Sequence, residues 1–160
     1  MKIDIIQFTS HSEKQTLSAG RKIAKSLKEG DVVCLYGDLG SGKTVLTKGI
    51  ASGLGISFMD IISPTFVLLR RYQGKKRLNH FDFYRVKNAE EIINLGYEEY
   101  FYDRDITVIE WPDRLGTMLP REFLKIELRV KSDNERIIKM SAVGDNHAQL
   151  LNSIYENLSR

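Results

Sequence analysis

A chain of 160 residues with 42% hydrophobic and 28% charged residues has the make-up of one folded domain, spanning residues 1–160, and excludes both a disordered chain and a second sizeable domain. The formal net charge of +3 is too small for nucleic-acid binding by the whole surface. Apolar runs reach only four or five residues, too short to cross a membrane, and the opening MKIDIIQ places Asp4 and Gln7 where a secretory leader needs an unbroken apolar stretch, so a cytoplasmic location is expected.

In chain order, Ile3, Ile5 and Phe8 predict a short opening strand. Ser12 and Gln15 form a capping-box pattern, Leu17, Gly20, Ile23, Ala24 and Leu27 form an apolar helical stripe, and Gly30 is expected to end that helix. Residues 31–36 (DVVCLY) read as a strand buried on both faces. Cys34 lies in that run; as the one cysteine of the chain it excludes an internal disulfide and a multi-cysteine metal site, and it reads as a buried inert thiol. A glycine-rich turn and a helix over 43–54 follow. Residues 66–72 and 77–84 are expected to form a hairpin around Gln73 and Gly74. Asn88 and Glu91 start another helix that stops near Gly96. Residues 106–109 (ITVI) predict a second buried strand, and 123–130 with 137–143 an antiparallel, half-exposed pair. His147, Leu150, Leu151, Ile154, Tyr155 and Leu158 predict a last helix. The order is mixed α/β, a buried sheet with helices on both faces and antiparallel strands at its edges.

Charge is uneven. Residues 70–77 (RRYQGKKR) hold five basic side chains in eight positions, and 90–105 hold six acidic ones against a single arginine. Either stretch is a docking face for a partner or RNA, or a solvated turn and helix face.

Gly37, Asp38, Leu39, Gly40, Ser41, Gly42, Lys43 and Thr44 fit G-x-x-x-x-G-K-[ST] at every fixed position. Polyphosphate is highly charged and has to be wrapped by backbone N–H groups. Glycines allow that curl, because they accept positive φ and carry no side chain. The helix opening at the end of the loop turns its positive end toward the phosphates. Lys43 adds a point charge at the β- and γ-phosphates, and the Thr44 hydroxyl is a candidate Mg²⁺ ligand. No asparagine is followed by lysine, so a guanine-reading N-K-x-D is missing and ATP is the favoured nucleotide.

Phosphoryl transfer also needs a carboxylate at the C-terminal end of a neighbouring buried strand. Glu110 ends the run 106–109 and is preferred for the metal. Asp82, in His80-Phe81-Asp82-Phe83-Tyr84-Arg85, then either holds a metal-bound water or orients Thr44. Thr65, in Ser63-Pro64-Thr65, is a candidate γ-phosphate sensor or a local turn residue. Trp111 packs under the loop or faces a partner. His80 has no second histidine or cysteine beside it and reads as structural.

Taken together, GDLGSGKT, SPTF (63–66), HFDFYR (80–85) and EWP (110–112), in this order and spacing, closely resemble the TsaE family, bacterial ATPases of tRNA threonylcarbamoyladenosine biosynthesis. The resemblance runs from the helix start at Ser12–Thr16 to the strand at Arg136–Ser141. The GDLGSGKT loop is common to many families, and the other three motifs are far more specific. Phe66 and Phe83 stand where the family often has Tyr and Leu. The resemblance implies a P-loop NTPase fold, three layers α/β/α around a mixed sheet, and slow Mg²⁺-dependent ATP hydrolysis. It implies two partner proteins, TsaB and TsaD. TsaD transfers the threonylcarbamoyl group to adenosine 37 of tRNAs reading codons that begin with A. TsaE-like proteins support turnover without performing the transfer, so contact with tRNA is expected to be indirect. By the same resemblance Thr44 and Glu110 are the magnesium ligands, Asp82 is the Walker-B-like aspartate, Thr65 is the switch-loop threonine, and Glu13 and Arg136 lie near the nucleotide. The basic stretch 70–77 is not part of the family pattern.

The expected function is therefore an ATPase that resets a tRNA-modifying complex. A small-molecule or nucleoside kinase, or a non-catalytic nucleotide-sensing adaptor, uses the same loop. The kinase needs an acceptor pocket and a lid, and no long lid is evident in the sequence. Isotope-labelled ATP with candidate acceptors separates the kinase, and Glu110→Ala separates the adaptor.

Overall fold

The apolar run at residues 32–36 becomes the centre of one mixed sheet. The computed structural model describes residues 2–160. Its strands are β1 (Ile5–Ser10), β2 (Val32–Tyr36), β3 (Leu69–Gln73), β4 (Arg77–Asp82), β5 (Ile106–Glu110), β6 (Phe123–Val130) and β7 (Arg136–Val143). They lie in the order β1-β7-β6-β2-β5-β4-β3. β2 is parallel to β5 on one side and to β6 on the other, and β4 is parallel to β5. β7 is antiparallel to β6 and to β1, and β3 closes the other edge antiparallel to β4.

Alternation along β2 divides the core in two. Val33 and Leu35 join Ile23, Leu46, Ile50 and Ile154 on the face covered by α1 (Glu13–Ala24), α2 (Lys43–Gly53) and α5 (Ala148–Ser159). Val32 and Cys34 join Phe81, Phe83, Ile92 and Phe101 on the face covered by α3 (Ala89–Asn94), α4 (Tyr97–Phe101) and a 3₁₀ segment, Pro112–Met118. The result is the expected three-layer α/β/α arrangement. No described helix is long and apolar enough to cross a membrane.

Ser12 caps α1 by accepting the Gln15 N–H at 3.1 Å, and the Gln15 side chain accepts the His11 N–H at 2.7 Å. α1 ends at Ala24 and does not run on to Gly30. The N–H groups of Ser26 and Leu27 reach back only three residues, and the Ser26 hydroxyl is held at 2.8 Å by Ser153 and 2.7 Å by Asn157 of α5. Leu27 stays fully buried, so the apolar stripe outlasts the helix. α1 and α2 pack backbone to backbone at Gly20, where a Cβ would lie 2.7 Å from both the Ile50 nitrogen and the Leu46 carbonyl oxygen.

Three further expectations change. β3 begins at Leu69, because residues 66–68 turn, with Leu68 at φ 68° and its N–H 2.6 Å from the Pro64 carbonyl. After α3, Gly96 opens the separate short helix α4. Tyr155 of the last helical stripe faces solvent. The basic hairpin is tied inward: Arg71 meets Asp105 at 2.9 Å, Arg77 lies 3.9 Å from the same carboxylate, and Lys76 donates to the Leu27 carbonyl at 2.7 Å.

Candidate functional site

β2 delivers the chain to the loop at the C-terminal ends of the parallel strands, the end where open α/β sheets take ligands. Gly37, Gly40 and Gly42 have φ of 153°, 79° and 102°. At Gly37 a Cβ would lie 2.5 Å from the Ser41 hydroxyl and 2.6 Å from the Leu128 carbonyl oxygen, so no larger residue fits the start of the curl. Gly42 is the N-cap of α2 and offers no side-chain bond, which leaves the first N–H groups of that helix uncapped by side chains and available to an anion.

Lys43, the first residue of α2, is buried. Its ammonium donates to the Gly37 carbonyl and, at 2.8 Å, to the Asp38 carbonyl. The same nitrogen stands 4.2 Å from the centroid of the Trp111 ring. Burial lowers its pKa from 10.5, while Glu110, Asp82, Asp113 and Asp38 oppose that shift. Trp111 holds φ 57°, and its ring lies 5.0 Å from that of Tyr84, so it packs across the loop lysine.

The two carboxylates stand side by side, Asp82 ending β4 opposite Glu110 ending β5. Both are buried. Thr44 Oγ1 is 3.1 Å from each oxygen of Glu110. Thr47 Oγ1 lies 3.4 Å and His80 Nε2 2.8 Å from Glu110 Oε1. Asp82 makes a different set of bonds. Its Oδ2 accepts from Thr65 at 2.8 Å and Ser63 at 3.2 Å, and its Oδ1 accepts the Tyr84 N–H at 2.9 Å. The Thr44 hydroxyl is thus bonded to Glu110, and Asp82 orients Thr65 instead of Thr44.

Thr44, Thr65, Asp82, Glu110, Glu13 and Arg136 all line one cavity of about 450 Å³, together with Leu39, Gly40, Gly42 and Lys43. Gly37, Asp38 and Ser41 instead border a cleft of about 390 Å³ on the far side of the loop. Arg136 donates from Nη2 to the Gly40 carbonyl at 3.3 Å and from Nη1 to the Ser132 carbonyl at 2.9 Å, pinning the β6–β7 turn to the loop. Sequence reasoning missed Ser12, Thr16 and Asn134 as cavity walls, and it missed the bond between His80 and Glu110. Only the spacing of two residues between His80 and Asp82 on one strand signals that both share a face.

A hydroxyl and a carboxylate are hard oxygen donors, which suit Mg²⁺. No group of three or more His, Cys, Asp or Glu side chains able to hold a metal occurs among the described residues.

Comparison with known proteins places this chain in a family. Residues 10–138 match the family described as Threonylcarbamoyl adenosine biosynthesis protein TsaE. The tRNA threonylcarbamoyladenosine biosynthesis protein TsaE of Bacillus subtilis (strain 168) is 36% identical over 157 residues, covering 96% of this chain and 98% of the relative. That of Treponema pallidum (strain Nichols) is 41% identical over 132 residues, 82% of this chain and 97% of the relative. The crystal structure of Bacillus subtilis YdiB superposes with a TM-score of 0.83 at 32% identity, over 98% of this chain and 97% of that one. With its family match running from the end of β1 into β7, the chain belongs to the TsaE family.

Proposed function

We propose that the chain binds Mg·ATP in the 450 Å³ cavity, hydrolyses it slowly, and through that cycle supports formation of threonylcarbamoyladenosine at position 37 of tRNA by acting on a TsaB–TsaD complex. The observation that carries the reading is the convergence of Lys43, Thr44, Asp82 and Glu110 on one cavity at the C-terminal ends of β2, β4 and β5. The loop amides and the start of α2 would receive the phosphates, and Lys43 would exchange its carbonyl partners for phosphate oxygens. Thr44 and Glu110 would hold Mg²⁺, which when bound neutralises charge on the phosphates. Asp82 holds Thr65 and Ser63 at the edge of the cavity, which supports a role for the 63–65 segment in reading a terminal phosphate.

The lining of the cavity supports slow hydrolysis by the chain alone. Arg136 is the one arginine lining it among the described residues, and its guanidinium is committed to the carbonyls of Gly40, Ser132, Asp133 and Glu135. A cation supplied by a partner typically raises such rates by about 10³–10⁵-fold. The test is phosphate release from Mg·ATP by the chain alone and with TsaB and TsaD. Ready binding with poor turnover alone, and faster turnover in the mixture, is expected. An unchanged rate with an active complex overturns the reset role.

A further inference from the structure

We infer that His80 is a positioning residue for the cation site, fixing which oxygen of Glu110 is left for Mg²⁺. The inference rests on the proposed Mg·ATP site. His80 lies on β4 opposite Val108, two positions before Asp82, which pairs with Glu110. Its ring therefore sits on the same sheet face as Glu110 and reaches it diagonally. A carboxylate only accepts, so Nε2 carries the hydrogen and donates across 2.8 Å to Oε1. Thr47 also points its hydroxyl at Oε1. Oε2 has Thr44 as its one hydrogen-bond partner among the described residues. The carboxylate is thereby pinned by one oxygen, and the other is left beside the Thr44 hydroxyl, where a shared cation would bind.

The second nitrogen of the ring argues against a purely packing role. His80 is fully buried, and Nδ1 has no hydrogen-bond partner among the described residues. Burying an unpartnered polar nitrogen costs stability that an apolar side chain of similar volume would not incur. A histidine at this position is thus a poor choice for core packing and a good one for a directed N–H to Glu110. Groups that hold a metal ligand in place commonly change metal affinity by about 10–100-fold when removed.

The experiment measures binding of a fluorescent ATP analogue to the full chain, first without divalent cation and then across a Mg²⁺ titration. The variants are His80→Phe, which keeps ring volume without the donor, and His80→Gln, whose amide nitrogen can reach Oε1. His80→Phe is expected to need about tenfold more Mg²⁺ for half-maximal enhancement while its Mg²⁺-free affinity stays near wild type. His80→Gln is expected to recover most of the loss. Unchanged Mg²⁺ dependence in His80→Phe overturns the inference, and so does a His80→Gln protein as impaired as His80→Phe. If His80→Phe does not fold, His80→Asn, whose amide is too short to reach Oε1, takes its place with the same expected loss. A wild-type protein whose nucleotide binding ignores Mg²⁺ overturns the cation site itself and this inference with it; a Mg²⁺-sensitive wild type beside an equally sensitive His80→Phe overturns His80 alone.

Discussion

Thr65 and Asp82 share a 2.8 Å hydrogen bond that ties an exposed loop to the buried end of β4. Phe66 and Val67, next along the loop, are 78% and 51% exposed. One carboxylate therefore connects the cavity wall to an apolar surface, and its substitution should separate binding from turnover.

Asp82→Asn retains one acceptor but presents an NH₂ group in place of a carboxylate oxygen. It can no longer accept from both Thr65 and Ser63 while accepting the Tyr84 N–H. We predict nucleotide affinity within about threefold of wild type and turnover lower by about 100-fold, the scale of a misplaced positioning group. Equilibrium binding and single-turnover hydrolysis on the same preparation check this. Normal turnover would assign Asp82 a structural role.

Lys43→Met removes the buried ammonium. Nucleotide affinity should fall by about 10- to 150-fold, given that hydrogen bonds to charged groups contribute about 1.5–3 kcal/mol. The pH dependence carries a sign. Burial lowers the lysine pKa from 10.5, so between the lowered value and 10.5 the unfolded chain binds more protons than the folded one. The contribution of this residue to stability therefore rises with pH through that window, while its attraction for phosphate falls. Denaturation and calorimetric titration of wild type against Lys43→Met, across that window, should show the two trends running in opposite directions.

Gly20→Ala places a methyl group against the backbone of α2. Neither Leu46 nor Ile50 main-chain atoms can move aside as a side-chain tip would. A loss of about 1–3 kcal/mol is expected in urea unfolding. A variant as stable as wild type would show that the helices separate easily.

Cys34 is fully buried, and desolvation pushes its thiol pKa well above the ordinary 9.0. Above 9.0 the unfolded chain loses this proton while the folded chain keeps it, so the residue's contribution to stability declines as pH rises past that point. Alkylation of the native protein at about pH 8 should be about a hundredfold or more slower than in denaturant. Equal rates would place the thiol at the surface.

Local rules made much of this fold readable. The loop at 37–44 stands out through glycine and lysine at fixed offsets, and β2 and β5 declare themselves as apolar runs bounded by polar residues. Glu110 was recognisable because it ends such a run, and Asp82 because it stands in the alternating polar and aromatic stretch His80-Phe81-Asp82-Phe83-Tyr84-Arg85. What stayed hidden depends on neighbours distant in sequence. The early end of α1 comes with bonds from Ser153 and Asn157 to Ser26, residues more than a hundred positions away. The bond between His80 and Glu110 needs the register of β4 against β5, which no single-strand pattern contains. The turn at Leu68 adopts a conformation that side chains rarely take, and residue preference alone points the other way.

The contact at Gly20 also limits where motion in this molecule can originate. Ser12 and Glu13 at the head of α1, and Lys43 and Thr44 at the head of α2, belong to two rods clamped main chain against main chain. Sliding of one helix against the other would bring backbone onto backbone at that contact. On the proposed reading, whether a triphosphate or a diphosphate is held would be signalled through the opposite rim, where Thr65 hangs from Asp82 by a hydroxyl.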